Sequence, residues 1–367
     1  MNATATRIGI LGRGQLARML ERAGQPLGQH FEFVDDPSAR FMSGVEVVTF
    51  ESENWSVRDV ERAAAGVPVF PSTRALSIGQ DRQYEKELFD RLGIATAEWS
   101  WISRGFELPD AVERVGVPSI VKTRRGGYDG RGQWTLRTLA DIGRVAVELG
   151  ERSAIVEQLV PFRRELSIVA ARGADGAIVY YPLVENHHER GCLRITLAPA
   201  RVDERIQSSA RTMIRALLVE LDYVGVLALE LFEVAARDGT STLCANEIAP
   251  RVHNSGHWTI EGSKTSQFEN HLRAISGLPL GDTETLGPSA MLNLLSHLPE
   301  LRAVLSVPGA HPHVYDKEPA PGRKLGHVTL RADTESELAR RLDELSLRID
   351  ISLPEAVTSW IRSTSSG

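Results

Sequence analysis

The first 65 residues alternate short apolar segments with amphipathic ones, and this alternation constrains the fold more than any other feature of the chain. We predict strands at residues 7–11, 31–34 and 46–50, and helices at about 15–23 and 57–65. A strand–helix–strand repeat with short connections forms a parallel sheet through right-handed crossovers. The chain should therefore begin with an α/β unit of the Rossmann-like kind.

The length of 367 residues exceeds what a single hydrophobic core usually supports. We predict an N-terminal domain over 1–95, an α+β domain with two lobes over 96–285, and a small C-terminal domain over 286–367. In the last domain we expect a helix first, and later a strand at 327–330 and a helix at about 334–345. The expected fold class is thus α/β followed by α+β.

The overall composition excludes several classes of protein. The net charge of −6 gives no general nucleic-acid footprint, so any anion site must be built locally. Two cysteines are too few for a disulfide framework, which fits a reducing compartment. The N-terminus lacks a signal-peptide core, and no apolar run is long enough for a membrane span. We expect a soluble cytoplasmic protein with no nucleic-acid or membrane partner.

A glycine motif follows the first strand and opens the first helix. The segment Gly12-Arg13-Gly14-Gln15-Leu16-Ala17 matches the dinucleotide-binding pattern, and Asp35 and Asp36 follow about twenty residues later. By itself this pattern indicates an NAD-dependent oxidoreductase. A tight strand-to-helix turn needs glycine for other reasons, however, and a helix N-terminus can bind any phosphate or carboxylate. We favour a structural turn or a substrate-anion contact over NAD.

The densest chemistry lies in the run from Asn246 to Trp258. It contains Glu247, Arg251, His253 and His257, with few apolar residues between them. A buried polar group without a partner costs about 1–3 kcal/mol, so a bound molecule is expected to satisfy these side chains. The run is typical of a site for an anionic, metal-bound substrate, and a hydrated surface loop is the alternative.

A lysine followed by a glycine-rich loop indicates phosphate binding. Lys122 ends a predicted strand, and the loop 123–133 has four glycines and three arginines within it. Such a loop can close over phosphates and exclude water. It is not a Walker loop, and a flexible surface hairpin is the alternative. The segment 157–160 could present backbone groups to an adenine edge, although ordinary strand ends look the same.

Two carboxylates indicate a metal site. We expect Glu230 and Glu247 at the ends of neighbouring apolar strands, at 224–231 and 242–247. Mg²⁺ in proteins is typically held by one or two carboxylates together with substrate phosphates. The alternative is that each carboxylate pairs with an arginine.

Together these segments resemble the ATP-grasp superfamily, and within it the 5-(carboxyamino)imidazole ribonucleotide synthetases of purine biosynthesis. The resemblance spans about residues 7–329. The segments that carry it are Thr49–Glu51, Gln80–Arg82, Val121–Gln133, Pro182–Asn186, Asn246–Trp258, Ser266–Glu269 and Gly322–His327. Arg13 and Ser52 depart from the family pattern, where we expect a small and an apolar residue, which puts substrate-contact details in doubt.

The resemblance implies an ATP- and bicarbonate-dependent carboxylation of the exocyclic amine of 5-aminoimidazole ribonucleotide, with carboxyphosphate as intermediate and a homodimer as assembly. The implied ATP contacts are Arg82, Lys122, Gly127, Tyr128, Asp129, Gly130, Arg131, Gly132, Gln133, Glu157, Gln158, Leu159, Val160, Glu165, His188, Asn246 and Glu247. The implied ribonucleotide contacts are Gln15, Glu51, Tyr128, Asp129, Arg131, Arg251, His253, Asn254, Lys317, Arg323 and Lys324. Glu230 and Glu247 would hold Mg²⁺, and the implied catalytic residues are Lys122, Arg131, Arg251 and His253.

Three other functions remain open at this point. A formate-using glycinamide ribonucleotide transformylase shares the architecture, and a carboxylase component that carries biotin would need a longer chain. A nucleotide-sensing module without catalysis would not need the set Lys122, Glu230 and Glu247. Without the resemblance, Lys317, Arg323 and Lys324 would be read as solvated surface cations.

Overall fold

The computed structural model describes residues 6–126, 132–235 and 239–365. The first unit has a three-stranded parallel sheet in the order β2-β1-β3, flanked by helices. Its elements are β1 (Arg7–Leu11), α1 (Gln15–Gly24), β2 (His30–Val34), β3 (Val47–Phe50), α2 (Val57–Ala64), α3 (Thr73–Gly79) and α4 (Arg82–Leu92). The predicted strands and helices of this unit are confirmed to within one residue at each end, and α3 was not predicted.

A small lobe follows, with a four-stranded antiparallel sheet in the order β4-β7-β5-β6. Its elements are β4 (Trp99–Ile102), α5 (Leu108–Val115), β5 (Ser119–Thr123), β6 (Gln133–Leu136), α6 (Asp141–Leu149) and β7 (Ala154–Gln158). Apolar side chains of both helices and of the sheet form a separate core, which includes Val112, Val121, Val145 and Val156. The lobe therefore has its own hydrophobic centre.

The third unit is built on a nine-stranded sheet in the order β13-β12-β8-β10-β11-β14-β16-β15, with β9 paired to β8. Its first elements are β8 (Phe162–Arg172), β9 (Ile178–Tyr180), β10 (Val184–Glu189), β11 (Cys192–Ala198), α7 (Glu204–Glu220), β12 (Gly225–Ala235), β13 (Ser241–Ala249), α8 (Thr259–Gly262) and α9 (Gln267–Ile275). Its remaining elements are β14 (Ser289–Leu295), α10 (Leu301–Leu305), β15 (Ala310–Val314), β16 (Lys324–Arg331), α11 (Glu335–Arg348) and α12 (Glu355–Ser365).

Helices cover both faces of this sheet and position its central strands. The apolar residues of α7, at Ile206, Ala210, Ile214 and Leu217, pack against β8 and β12 on one face. The helix α9 packs against the same two strands in a second core, which also receives residues of α1. A strand buried on both faces tolerates polar residues only where they have partners, so polar groups on β12 and β13 are constrained to a local site.

The predicted boundary at residues 285/286 falls just before β14, and β14 pairs with β11 across it. The first element after residue 285 was expected to be a helix, and this was wrong: it is the strand β14, with the short α10 after it. Six of the seven residues of β14 are buried, so the strand lacks the alternation of polar and apolar residues that distinguishes a strand from a helix. None of the helices in the described ranges has the length and hydropathy that crossing a bilayer requires.

Candidate active site

The centre of the site is an irregularity in the pairing of β12 with β13. The register shifts at Glu230, so that this one residue lies opposite two residues of β13, Asn246 and Glu247. A bulge of this kind turns side chains out of the regular alternation, and bulges are frequent beside active sites. Glu230 and Glu247 therefore lie within their strands. We had predicted them at the strand ends, and this was wrong.

The two carboxylates at this bulge form a partly buried acidic pair, Glu230 and Glu247. Burial and, to a smaller extent, the charge of Glu247 raise the pKa of Glu230 to about 7, although the nearby His188 acts to lower it. The Nδ2 of Asn246 lies 3.4 Å from Glu230 Oε2, and the Nε2 of His253 lies 3.4 Å from its Oε1. Among the described residues, neither carboxylate forms an ion pair with an arginine. The alternative interpretation, in which each carboxylate pairs with an arginine, therefore does not hold for the described residues. Two neighbouring carboxylates without an arginine partner are a donor set that a divalent cation fits.

The helix α4 fixes the bulge from behind. The Ile248 N–H donates to Glu85 Oε1 at 2.6 Å, and Lys86 Nζ donates to the Asn246 carbonyl at 3.0 Å. These two contacts hold the residues on either side of Glu247. Burial, opposed by Lys86 and assisted by the charge of Glu247, raises the pKa of Glu85 to about 8 overall.

A buried carboxylate between two lysines links the bulge to the small lobe. Glu157 of β7 lies 2.6 Å from Lys122 Nζ and 2.6 Å from Lys86 Nζ. Burial alone would raise the pKa of Glu157, but the two lysines more than offset it and lower that pKa to about 2. Lys122 Nζ also lies 3.5 Å from Asn246 Oδ1. The lysine that was predicted to meet phosphates is therefore positioned by both lobes.

The base of the glycine-rich loop is anchored to the start of α4. Asp81 caps this helix and accepts from Arg124 Nε at 2.7 Å and from Arg125 Nε at 2.8 Å. Burial opposes ionisation of Asp81, yet the two arginines lower its pKa overall. The Arg82 guanidinium donates to the Gly126 carbonyl at 2.8 Å. The loop therefore leaves the protein body at a fixed point.

The predicted residues at the tip of this loop lie outside the described residues: Gly127, Tyr128, Asp129, Gly130 and Arg131. The chain returns at Gly132, whose carbonyl accepts from the Thr123 N–H at 2.9 Å. Gln133 then pairs with Lys122 across the two strands β5 and β6. The loop therefore connects two paired strands of the small lobe, β5 and β6.

A small cavity adjoins the acidic pair. It is lined by Glu165, Asn186, His188, Glu230 and Asn246, among others. The Nδ1 of His188 lies 2.5 Å from Glu165 Oε2. Burial lowers the pKa of His188, but its contact with Glu165 and the charge of Glu230 raise it overall. Two predicted nucleotide contacts thus meet the predicted metal ligand at one place.

The segment after β13 brings Arg251 and His253 to the same region. The side-chain amide of Gln267 binds both backbone groups of His253, accepting from its N–H at 2.9 Å and donating to its carbonyl at 2.6 Å. Arg251 Nε donates to Glu53 Oε2 of the N-terminal unit at 2.9 Å. The N-terminal unit therefore helps to position Arg251. An anion that binds Arg251 would either displace Glu53 from the guanidinium or bind beside it.

The N-terminus of α1 is occupied by an internal carboxylate. The backbone N–H groups of Gly14 and Ala17 donate to Glu51, the second at 3.0 Å. A Cβ atom at Gly12 would come within 2.3 Å of Glu51 Oε1, and one at Gly14 within 2.7 Å. The glycines of the motif therefore make room for Glu51. Since a dinucleotide would need this helix N-terminus for its pyrophosphate, the interpretation as an NAD site is not supported.

A basic group lies beside this helix. Lys317 Nζ donates to Gln15 Oε1, which joins two predicted ribonucleotide contacts that are 302 residues apart. Burial lowers the pKa of Lys317, Glu51 opposes this shift, and the cations Arg323 and Lys324 lower it further. Three predicted cations and two predicted polar residues are therefore neighbours, so they are not simply scattered surface charges.

The other predicted residues lie at the edges of the site. Gln158 ends β7, and Leu159 and Val160 form the turn into β8, with Leu159 41% exposed. Both amide atoms of Asn254 are buried without a hydrogen-bond partner among the described residues. An unsatisfied buried amide of this kind is costly and is consistent with a ligand contact.

Sequence reasoning missed the roles of Glu85, Lys86 and Gln267. The sequence did contain a sign that Glu85 has a structural role. Glu85 lies three residues before Leu88 and four before Phe89, on the face that α4 buries. A charged residue within an apolar stripe needs a partner, and here the partners are backbone groups of the bulge. For Gln267 we find no such signal.

A larger cavity lies between β11 and the C-terminal helices, and none of the predicted residues lines it. Its charged groups are already paired: Arg164 with Glu185 at 3.0 Å and with Glu233 at 2.6 Å, and Arg201 with Glu335. The described charged groups of this cavity therefore neutralise one another.

Comparison with known families agrees with the geometry. The ATP-grasp domain model matches residues 87–268, and the model of the phosphoribosylaminoimidazole carboxylase C-terminal domain matches residues 289–341. The first range contains the small lobe, the bulge and the loop of His253. The fold and site define the class of the protein, an ATP-dependent ligase of the ATP-grasp superfamily.

Individual proteins narrow this class. N5-carboxyaminoimidazole ribonucleotide synthase of Pseudomonas aeruginosa is 43% identical, over 94% of this chain and 99% of that protein. The synthase of Escherichia coli is 42% identical, over 96% of this chain and 97% of that protein. The crystal structure of the Thermus thermophilus synthetase has a TM-score of 0.86 at 44% identity, covering 95% of this chain and 99% of that one. The chain belongs to the N5-carboxyaminoimidazole ribonucleotide synthase family.

A structure with ligands is also similar. The Aspergillus clavatus synthase in complex with ADP and 5-aminoimidazole ribonucleotide has a TM-score of 0.84 at 31% identity, covering 94% of this chain and 99% of that one. Our sequence-based prediction of the family is thereby confirmed.

Proposed function

We propose that this protein uses ATP and bicarbonate to carboxylate the exocyclic amine of 5-aminoimidazole ribonucleotide, giving 5-(carboxyamino)imidazole ribonucleotide, ADP and phosphate. The observation that carries the proposal is the β12–β13 bulge, which places Glu230 opposite Asn246 and Glu247 and next to His253. Acidic groups for a metal, a cation for phosphate and an imidazole converge there, as a ligase that activates an acid with ATP requires.

The nucleotide would lie between the small lobe and the large sheet. Lys122 is directed to the interface of the two lobes by Glu157, and the β7–β8 turn at 158–160 offers backbone groups for adenine. His188 and Glu165 would meet the nucleotide from the large sheet. Phosphoryl transfer depends mainly on positioning and on neutralising charge, and Lys122 supplies one positive charge for this purpose.

The acidic pair of Glu230 and Glu247 would hold Mg²⁺. Burial and the charge of Glu247 raise the pKa of Glu230 to about 7, which supports this assignment, because a bound cation would favour the ionised form of Glu230. When bound, the metal would neutralise phosphate charge and orient the γ-phosphate. Asn246 Nδ2, 3.4 Å from Glu230 Oε2, would orient this carboxylate.

Arg251 would orient bicarbonate or the anionic intermediate, and His253 would lie near the nucleophilic amine. The ribonucleotide phosphate would lie near Lys317, Arg323 and Lys324. Gln15, Glu51 and Asn254 would contact the rest of the ribonucleotide, as the contact of Lys317 with Gln15 supports. Arg131, Tyr128 and Asp129 would come from the glycine-rich loop. Holding the two reactants together can lower the barrier by about 7–11 kcal/mol in ideal cases.

A bicarbonate oxygen attacks the γ-phosphorus of ATP, the bond to ADP breaks, and carboxyphosphate forms. The amine of the ribonucleotide then attacks the carboxyl carbon of carboxyphosphate and phosphate leaves, or carboxyphosphate first splits into CO₂ and phosphate and the amine attacks CO₂. On either route the nitrogen loses a proton. Because carboxyphosphate reacts with water, closure of the loop 123–133 over the site would protect it.

ADP release in matched reactions tests the proposal. The reactions contain Mg-ATP and bicarbonate with or without 5-aminoimidazole ribonucleotide, and Mg-ATP with formate and glycinamide ribonucleotide. We expect stimulation by the aminoimidazole and a carboxylated product only with bicarbonate. Stimulation only by the formate pair would overturn the substrate, and ADP release in neither reaction would leave a nucleotide-sensing module.

We also propose a cytoplasmic homodimer, as the family resemblance implies. Light scattering during size-exclusion chromatography should give about twice the mass of the chain, which is 40.3 kDa. A mass of one chain at micromolar concentration would contradict the dimer.

A further inference from the structure

The imidazole of His253 is bonded in a way that distinguishes its two ring nitrogens. His253 caps a short 3₁₀ turn, and its Nδ1 accepts from the Ser255 N–H at 3.4 Å. The Ser255 Oγ lies 2.9 Å from the same Nδ1. Since a backbone N–H can only donate, Nδ1 must be an acceptor. The ring proton of neutral His253 is therefore on Nε2, and the Ser255 hydroxyl donates to Nδ1.

The donor role of the Ser255 hydroxyl determines which group donates in each following hydrogen bond of a buried series of side chains. Because the Ser255 hydroxyl proton is used by His253, its oxygen accepts from the Ser167 hydroxyl at 2.8 Å. The oxygen of Ser167 in turn accepts from the Asn186 amide at 2.9 Å, and the Asn186 carbonyl accepts from the Thr196 hydroxyl at 2.9 Å. All four residues are at most 4% exposed. Each hydrogen bond in the series therefore has one possible donor and one possible acceptor. Strands β8, β10 and β11 hold Ser167, Asn186 and Thr196 in place.

The other nitrogen of the ring faces the acidic pair. His253 Nε2 lies 3.4 Å from Glu230 Oε1. Because Nδ1 accepts from the Ser255 N–H, the ring is not doubly protonated, and its single N–H is on Nε2 and directed into the site.

We propose that the Ser255 N–H, together with the chain Thr196–Asn186–Ser167 that orients the Ser255 hydroxyl, fixes His253 as the neutral Nε2–H tautomer, so that His253 acts as a hydrogen-bond donor in the reaction and not as a base. Ser167 and Ser255 are then positioning residues, which act through the imidazole. The functional part rests on the proposed carboxylation: the N–H would hold a carboxylate oxygen, either of Glu230 or of the reacting carboxyl group. The proton that leaves the amine must go to another acceptor.

The tautomer is measured directly by long-range ¹H–¹⁵N correlation spectra of protein labelled with ¹⁵N-histidine. The variant His253→Gln identifies the His253 signals by their loss. We expect a protonated Nε2 and an unprotonated Nδ1 from pH 6 to pH 9. A protonated Nδ1, or averaged shifts for the two nitrogens, would overturn the proposal whatever the enzyme's substrate proves to be.

Removal of a link in the chain provides the second test. In Ser167→Ala the Ser255 hydroxyl loses the donor that orients it, and the long 3.4 Å contact of the Ser255 N–H remains as the main restraint on Nδ1. This variant should introduce the signals of the other tautomer and lower kcat about fivefold, with KM for ATP within twofold of wild type. Ser119→Ala is the matched control, because the Ser119 hydroxyl is equally buried and has no hydrogen-bond partner among the described residues. A Ser167→Ala protein with wild-type spectra and wild-type kcat would show that the chain does not select the tautomer.

The role as donor is tested at His253 itself. The Gln side chain presents an N–H near the position of Nε2 but has no basicity, whereas Asn is too short to do so. If His253 is a donor, His253→Gln keeps about a tenth of wild-type kcat, and His253→Asn falls at least another tenfold. Equal loss in both variants would overturn the donor role. Absence of aminoimidazole-dependent ADP release in the wild-type protein would instead contradict the proposed function, and the NMR result would still stand.

Discussion

Replacement of Glu230 by glutamine should make the metal-free protein more stable at alkaline pH while destroying its activity. The carboxylate of Glu230 is partly buried beside that of Glu247 at the β12–β13 bulge. Glutamine has the same shape and cannot ionise. The variant would thus lose a charge whose presence lowers the stability of the folded protein. Active sites commonly contain groups that reduce stability but are needed for function.

The magnitude follows from the shift of the pKa. Burial, with the charge of Glu247, raises the pKa of Glu230 from 4.5 to about 7. A shift of about 2.5 units corresponds to about 3 kcal/mol, at about 1.4 kcal/mol per unit. Because the folded state holds this proton more tightly than the unfolded state does, the stability of the wild type decreases as pH rises from about 4.5 to 7. Glu230→Gln lacks this decrease, so the two proteins diverge over that window and differ by about 3 kcal/mol above it.

The assay is urea unfolding in EDTA between pH 5 and pH 8.5, which compares the free energies of unfolding. Glu233→Gln is the matched control: Glu233 is on the same strand and buried, but its carboxylate lies 2.6 Å from Arg164. Glu233→Gln should lower stability at pH 8, whereas Glu230→Gln should raise it. If Glu230→Gln is no more stable than wild type at pH 8, the ionised Glu230 carboxylate does not destabilise the metal-free protein, and the reasoning is refuted.

Three further predictions concern other parts of the site. Lys86→Met should lower the free energy of unfolding by about 3–5 kcal/mol at pH 7, because it leaves Glu157 with one lysine. Since the folded pKa of Glu157 is lowered to about 2, this loss should shrink as pH falls from about 4.5, which acid titration of both proteins checks. Glu51→Ala should cost about 1 kcal/mol in urea unfolding, because two N–H groups of α1 lose their acceptor. Lys317→Ala should raise KM for the ribonucleotide about tenfold and leave KM for ATP within twofold, and equal effects on both in steady-state kinetics would refute the anchor.

The N-terminal unit was predictable from sequence because its strands and helices are short, regular and separated by glycine turns. The interior of the large sheet was less predictable. β14 is buried on nearly its whole length, so its pattern carries no period. The bulge at Glu230 depends on pairing between two strands, and local sequence does not specify the register of that pairing.

The site could be predicted as a set of residues but not as a set of contacts. Lys122, Glu157 and Asn246 were expected near the nucleotide, yet their connection through Lys86 is visible only when α4 packs against the bulge. Similarly, the motif at Gly12 indicated an anion site, and the structure fills it with Glu51. Long-range contacts of this kind are decided by tertiary packing, which a single sequence does not display.

The most direct test of the account is the fate of the oxygen atoms of bicarbonate. The protein is incubated with ATP, Mg²⁺, 5-aminoimidazole ribonucleotide and ¹⁸O-bicarbonate, and the released phosphate is analysed by mass spectrometry or ³¹P NMR. The account predicts one ¹⁸O atom in each phosphate, because a bicarbonate oxygen bonds to the γ-phosphorus and remains there. Phosphate without label, formed while ribonucleotide is consumed, would contradict activation of bicarbonate by ATP.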